Sequence, residues 1–261
     1  MCIRDSRTPG IASGAAITIR GVASLESDKS YEPSIGVVMD GMFLGTSSGV
    51  LLDNFDIERI EVLRGPQGTL FGKNTTGGIL NVIRTPVSLN EIGFDASLTL
   101  GDFGRQDLKT VIQVPIIEDQ LGVKIFAANI EHDGHVYNTY LDRHAGGDDK
   151  LNYGFTVLWE PNDQLSMKLH HEIMQDKSEQ GVYVNRNPVG ILACTIHQIG
   201  FDPNEGCEID ANDGPDTVES DGSNFSDNEY ESTIFTVNYD TENFLYTYIY
   251  GMRDMDEQNM Q

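Results

Sequence analysis

Residues 56–86 read DIERIEVLRGPQGTLFGKNTTGGILNVIRTP, and this stretch decides the fold. Ile57, Ile60, Val62 and Leu63 are interleaved with Glu58, Arg59, Glu61 and Arg64, and Ile79, Leu80, Val82 and Ile83 form a second run ending at Arg84. Both runs are strand-like. Between them, Gly65 to Gly78 holds five glycines and Pro66. That composition suits tight turns under constraint, because glycine reaches positive φ without steric cost and a floppy tether would use serine as well. A phosphate loop is excluded. Gly68, Gly72 and Lys73 have three residues between the glycines instead of four, Asn74 stands where the magnesium-binding hydroxyl belongs, and strand-like sequence follows where a helix N-terminus is needed.

The run ERIEVLRGPQGTLFGKNTTGGILNVI resembles the end of the plug domain of TonB-dependent outer-membrane transporters. Upstream, Ile19-Arg20-Gly21 and Val38-Met39-Asp40-Gly41 resemble two further plug motifs of that family, in the same order. The resemblance covers residues 14–86 and places the plug motif on Arg20, Gly21, Asp40, Gly41, Glu58, Arg59, Glu61, Arg64, Gly65, Pro66, Gly68, Gly72, Gly77 and Gly78. It implies a plug that gates a barrel lumen, a small-molecule ligand and a TonB-type energy-coupling complex as partners, and a place in the outer membrane of a Gram-negative bacterium. In the family the loops after the R-G and D-G motifs grip ligand, which puts forward Arg20, Phe43 and Leu44. Arg20 offers a bidentate cation to an anionic group, and Phe43 and Leu44 offer apolar contact.

The implied organisation is mainly β: an α+β plug domain over 7–86, then antiparallel transmembrane β-barrel strands over 87–261 that form an incomplete barrel. Met1–Ser6, MCIRDS, has no apolar core or cleavage site of a secretory signal and reads as a non-native leader. The resemblance implies that a signal peptide, the coupling box and the first part of the plug precede this sequence in the complete protein.

The pattern after Pro86 supports the second half without reference to any family. Ile92, Phe94, Ala96, Leu98 and Leu100 alternate with small or polar residues, as do Leu108, Thr110, Ile112 and Val114. The same period recurs in Leu121 to Ala127, Leu151 to Trp159 and Leu165 to Ile173, followed by two strand-like runs rich in aromatics, 230–239 and 243–252. Short connections at 116–119, 161–163 and 240–242 alternate with long ones at 132–149 and 176–229, with a short exception at 102–104. Outer-membrane barrels are built this way, with strands of about ten residues. A soluble sandwich also alternates, so the faces alone favour the barrel only modestly.

Composition narrows the partners. Lys+Arg 17 against Asp+Glu 41 gives a formal net charge of -24, which repels nucleic acid and an anionic inner leaflet. Cys194 and Cys207 in a polar loop are a candidate disulfide suited to an oxidising compartment, two free thiols being the alternative. His132, His135, His144 and the His170-His171-Glu172 run lack zinc-site spacing and read as loop and lumen residues. The loop 187–229 has no Lys or Arg and carries Asp210, Asp213, Asp216, Glu219 and Asp221. Its Asp210–Gly214 segment has the glycine one place early for an EF-hand, so it reads as solvated surface rather than a calcium site. No nucleophile–base set is present, so the chain is expected to be neither an enzyme nor a cofactor carrier.

Three functions compete. The first is energy-coupled uptake of a scarce ligand such as a ferric siderophore, cobalamin or an oligosaccharide. The second is an outer-membrane sensor without uptake, and the third a soluble extracellular calcium-dependent β-rich binding protein.

Overall fold

The computed structural model describes residues 3–7, 15–23, 32–46, 49, 55–179, 217–218 and 225–260. The N-terminal part is an inner module of two small sheets. In the first, β1 (Ile3–Arg7), β2 (Ala15–Ile19) and β3 (Val22–Ala23) run antiparallel, so the segment set aside as a leader forms a strand against β2. The second contains β4 (Ile35–Met39), β5 (Met42–Leu44), β6 (Ile57–Arg64) and β7 (Gly78–Arg84), in the order β5-β4-β7-β6. All five residues of β4 are buried, which matches its unbroken apolar run IGVVM and its central place beside parallel β7. Val37, Met39 and Leu44 form the core with Ile17, Met42 and Leu80 packed on it.

The glycine-rich linker folds as a constrained loop around one short helix, α1 (Gly68–Phe71). Gly65 N–H donates to Gly77 O at 3.2 Å and Gln67 N–H to Thr75 O at 3.1 Å. Gly78 closes it with φ +144°, where a Cβ would lie 2.4 Å from Leu63 O. Only glycine fits there.

The C-terminal part is a seven-stranded antiparallel meander. It comprises β8 (Gly93–Leu100), β9 (Gln106–Ile117), β10 (Leu121–His132), β13 (Asp148–Asn162), β14 (Leu165–Asp176), β16 (Phe225–Asp240) and β17 (Leu245–Met260), in the order β17-β16-β14-β13-β10-β9-β8. A hairpin in the connection after β10, β11 (Val136–Asn138) with β12 (Arg143–Ala145), is joined by β15 (Thr217–Val218). The turns at 118–120, 163–164 and 241–244 collect at one end of the sheet, and the long connections lie at the other together with the short turn at 101–105. Cys194, Cys207 and the acidic residues Asp210 to Asp216 lie outside the described residues.

Which face is covered separates a barrel wall from a sandwich. The apolar face is the open one. Phe94, Ile112, Ile125 and Phe155 stand side by side across four strands, and Phe94 is 67% exposed and Ile125 56%. On the opposite face Lys124 is 1% exposed and Phe126 3%. A soluble sandwich would bury the first set, whereas a lipid-facing wall displays it. Tyr239, Tyr246, Tyr248 and Trp159 gather on the open face near the short turns, as at a membrane interface. On β13 that face carries no charge from Leu151 to Trp159, enough for an apolar band about 25 Å tall when strands tilt. Charges reach the face at the long-connection end, at Glu131, Glu231 and Asp254. The 16-residue strands β16 and β17 therefore exceed the expected ten because they continue above the band.

Candidate functional site

Strand register builds the covered face of the wall row by row. Lys124, Thr156 and His170 stand abreast on β10, β13 and β14, and Phe126, Gly154 and Glu172 stand abreast one row further up. Lys168 lies on the row below His170. Facing them is one corner of the inner module. Because β4 and β7 are parallel they end together, and antiparallel β6 begins there, so Asp40, Asp56 and Arg84 converge although they are far apart in sequence.

Corner and wall are joined by charge. Arg84 Nη2 donates to Glu172 Oε1 at 2.5 Å, and Lys124 Nζ lies 2.6 Å from Asp56 Oδ2 while donating to Thr85 O at 2.5 Å. Asp40 accepts from Arg84 N–H at 3.2 Å and lies 3.6 Å from Lys168 Nζ. Three cations thus meet three anions. All but Lys168 are nearly excluded from water, a setting in which charges are tolerated only when paired. Burial opposes the Arg84 charge, but Glu172, Asp40 and Asp56 outweigh it and raise the guanidinium pKa above its ordinary value. His170 turns elsewhere: its Nδ1 is 2.8 Å from Thr156 Oγ1, and its ring stacks on Phe126 at 5.6 Å. Gly154 leaves room for that ring, since a Cβ there would lie 2.7 Å from Phe126 Cζ.

The turn after β4 also docks by shape. A Cβ on Gly251 of β17 would lie 2.4 Å from Met42 Sδ, and one on Gly41 would lie 2.5 Å from Ile249 Cδ1. Gly251→Val is therefore expected to overpack the seam and cost roughly 1–3 kcal/mol of docking. Urea-dependent amide exchange of β4 and β5 in the complete protein measures it, and an unchanged profile would refute the contact.

The ligand residues expected from sequence are placed differently. Leu44 is 3% exposed in the module's core. Phe43 lies over Gly36 and Thr75, its Cε2 2.6 Å from the position of a Gly36 Cβ. Both make packing contacts, because β5 pairs with β4 and carries its side chains against the module and its seam. Phe43→Ala should cost about 1–2 kcal/mol of module stability through lost apolar burial, read by thermal unfolding. Unchanged stability would refute the packing contact. Arg20, at φ +53° in the turn before Gly21, is exposed.

The other motif residues divide between turn and surface. Arg59 pairs with Glu58 and Glu61 at 2.8 Å on the exposed outer edge of β6. The Arg59 hydrogen bond, with one from Asn81, holds the Glu61 carboxyl below its ordinary pKa. At the long-connection end His132 uses both ring nitrogens, Nε2 against Asp148 at 2.9 Å and Nδ1 accepting from Gly134 N–H at 3.0 Å.

Lys124 and Lys168 had drawn no notice as sequence, Asp56 and Arg84 stood only near the ends of the quoted stretch, and Glu172 only as the neighbour of two histidines without zinc-site spacing. The available signal was Lys124 alone among apolar and small residues in LGVKIFAA, with Lys168, His170 and Glu172 sharing one face of β14.

Residues 5–79 match the model of the TonB-dependent Receptor Plug Domain. These residues carry a TonB-dependent receptor plug domain. The match begins inside β1 and ends in β7, so the inner module is the plug and the meander is wall of the barrel. The pesticin receptor of Yersinia pestis is 38% identical over 69 residues, which are 26% of this chain and 10% of that protein. The ferrichrome outer membrane transporter/phage receptor of Escherichia coli K12 is 30% identical over 122 residues, 38% of this chain and 16% of that protein. The crystal structure of the ferric yersiniabactin uptake receptor from Yersinia pestis superposes with a TM-score of 0.79 at 19% identity, covering 98% of this chain and 37% of that one. The chain thus spans only part of the length of its relatives.

Proposed function

We propose that the receptor carrying this chain takes up a scarce ligand across the outer membrane by energy-coupled rearrangement of the plug, with a ferric siderophore as the favoured ligand class. The buried seam carries this reading. A plug fixed to its wall by three ion pairs closes the lumen until work is done on it, and the TonB-type coupling complex is the source of that work. The relatives named for ferric yersiniabactin and ferrichrome support the ligand class. Arg20, exposed and cationic, is the proposed plug contact for an anionic group on the ligand.

The test is accumulation of radiolabelled ligand in cells that depend on the complete receptor, with iron-labelled ferric siderophores, labelled cobalamin and labelled oligosaccharides supplied in turn. Energy-dependent iron accumulation supports the proposal. Ligand binding without accumulation would make the protein a sensor, and accumulation only of cobalamin or sugar would overturn the ligand class. Arg20→Ala should weaken ligand binding by roughly 1–3 kcal/mol with the barrel still folded, and unchanged affinity would remove it from the site.

A further inference from the structure

We infer that Asn152 on the barrel wall is a further residue of the plug seat, acting through one bound water held between it and Arg84. Asn152 lies on β13, one row above Gly154, between Ala128 and Met174. It makes no direct contact with a plug charge in the network above. Its Oδ1 is nonetheless buried without a hydrogen-bond partner, and so is Arg84 Nη1, which lies 3.8 Å from Asp40 Oδ2. An acceptor from the wall and a donor from the plug therefore both lack partners at one seam.

Both groups line the same small cavity, with Asp56, Glu172, Met39, Phe55, Ile57, Val82 and Phe126. The cavity has about 10 Å³ available to the centre of a water-sized molecule, close to the minimum that admits one water, and a buried water needs two to four polar partners. Arg84 Nη1 donates to it, and Asn152 Oδ1 and Asp56 Oδ2 accept from it. Asp56 Oδ2, 2.6 Å from Lys124 Nζ, retains a further lone pair with which to accept. The aromatic and aliphatic walls supply no competing partner. One water thus satisfies groups from both bodies that cannot reach each other, as bridging waters do at other interfaces.

This inference rests on reading the seam as the seat of the plug and is independent of the ligand. The complete receptor is crystallised at a resolution that shows ordered water, and amide exchange is measured across Val82–Thr85 for the native protein, Asn152→Leu and Asn152→Asp. A water within hydrogen-bond distance of Arg84 Nη1 and Asn152 Oδ1 is expected. Leucine should remove the water, leave the guanidinium unsatisfied and speed exchange roughly tenfold. Aspartate keeps an acceptor and should hold exchange near the native rate. A dry cavity in the native protein overturns the inference, whether or not the leucine variant folds. Native exchange in Asn152→Leu overturns it as well, and so does equal loss in both variants, which would make Asn152 a packing residue. None of these outcomes bears on uptake, which the iron assay reads separately.

Discussion

Glu172→Ala should loosen the plug by roughly 3–5 kcal/mol, because it strands the Arg84 guanidinium in a water-excluded seam. Arg84 is 9% exposed and Glu172 5%, and the bond between them is 2.5 Å. With the carboxylate gone, Asp40 at 3.8 Å becomes the nearest anion. It cannot replace Glu172, since it already accepts from Arg84 N–H and faces Lys168. The measurement is amide exchange of β7 in the complete receptor, which should approach the exchange of an unseated plug while the wall strands stay protected. Replacing both partners, Arg84→Met with Glu172→Leu, should recover much of the loss, since two apolar side chains leave no buried charge. The loss of Glu172 alone and the recovery in the double variant together mark a latch. If Glu172→Ala exchanges like the native protein, or the double variant is no better than the single one, the ion pair does not hold the plug.

Ile125→Arg should destabilise the folded receptor in lipid by roughly 2–4 kcal/mol, while Glu131→Arg on the same strand should cost no more than about 1 kcal/mol. Both residues point outward from β10. Ile125 lies in the row Phe94, Ile112, Ile125 and Phe155, inside the charge-free band, whereas Glu131 lies above it, opposite Asp149. An arginine at the first place has only hydrocarbon around it, and at the second it meets water and carboxylates. Reversible unfolding from lipid vesicles, or heat-modifiability on gels, reads the difference. Equal costs at the two positions would show that this face is not lipid-facing. Near-neutral behaviour of both in detergent-free buffer would point to a soluble sheet instead.

Much of this architecture was legible in the chain because its cause is local. Period-2 alternation is a property of consecutive residues, so Leu121 to Ala127 and Leu151 to Trp159 announce two-faced strands before any partner is known. The same holds for the turns: Gly78 must be glycine because of the φ its own backbone adopts, and the run from Gly65 to Gly78 displays that need as composition. The packing of Phe43 and Leu44 was not legible for a related reason. Following a turn motif in sequence says nothing about which side of a strand faces a lumen, and pairing of β5 with β4 decided that.

The sequence by itself determined the mainly β fold, the resemblance of residues 14–86 to the plug of TonB-dependent receptors, and the alternation that gives the wall strands an apolar face. Only the tertiary structure decided which charges hold plug to wall, since Asp40, Asp56 and Arg84 meet through parallel pairing of β4 with β7, and Lys124, Lys168 and Glu172 through strand register. Each of those side chains is an ordinary polar residue in its own segment. What makes them a site is burial against one another, and burial is a relation between distant segments that no single stretch of chain can express.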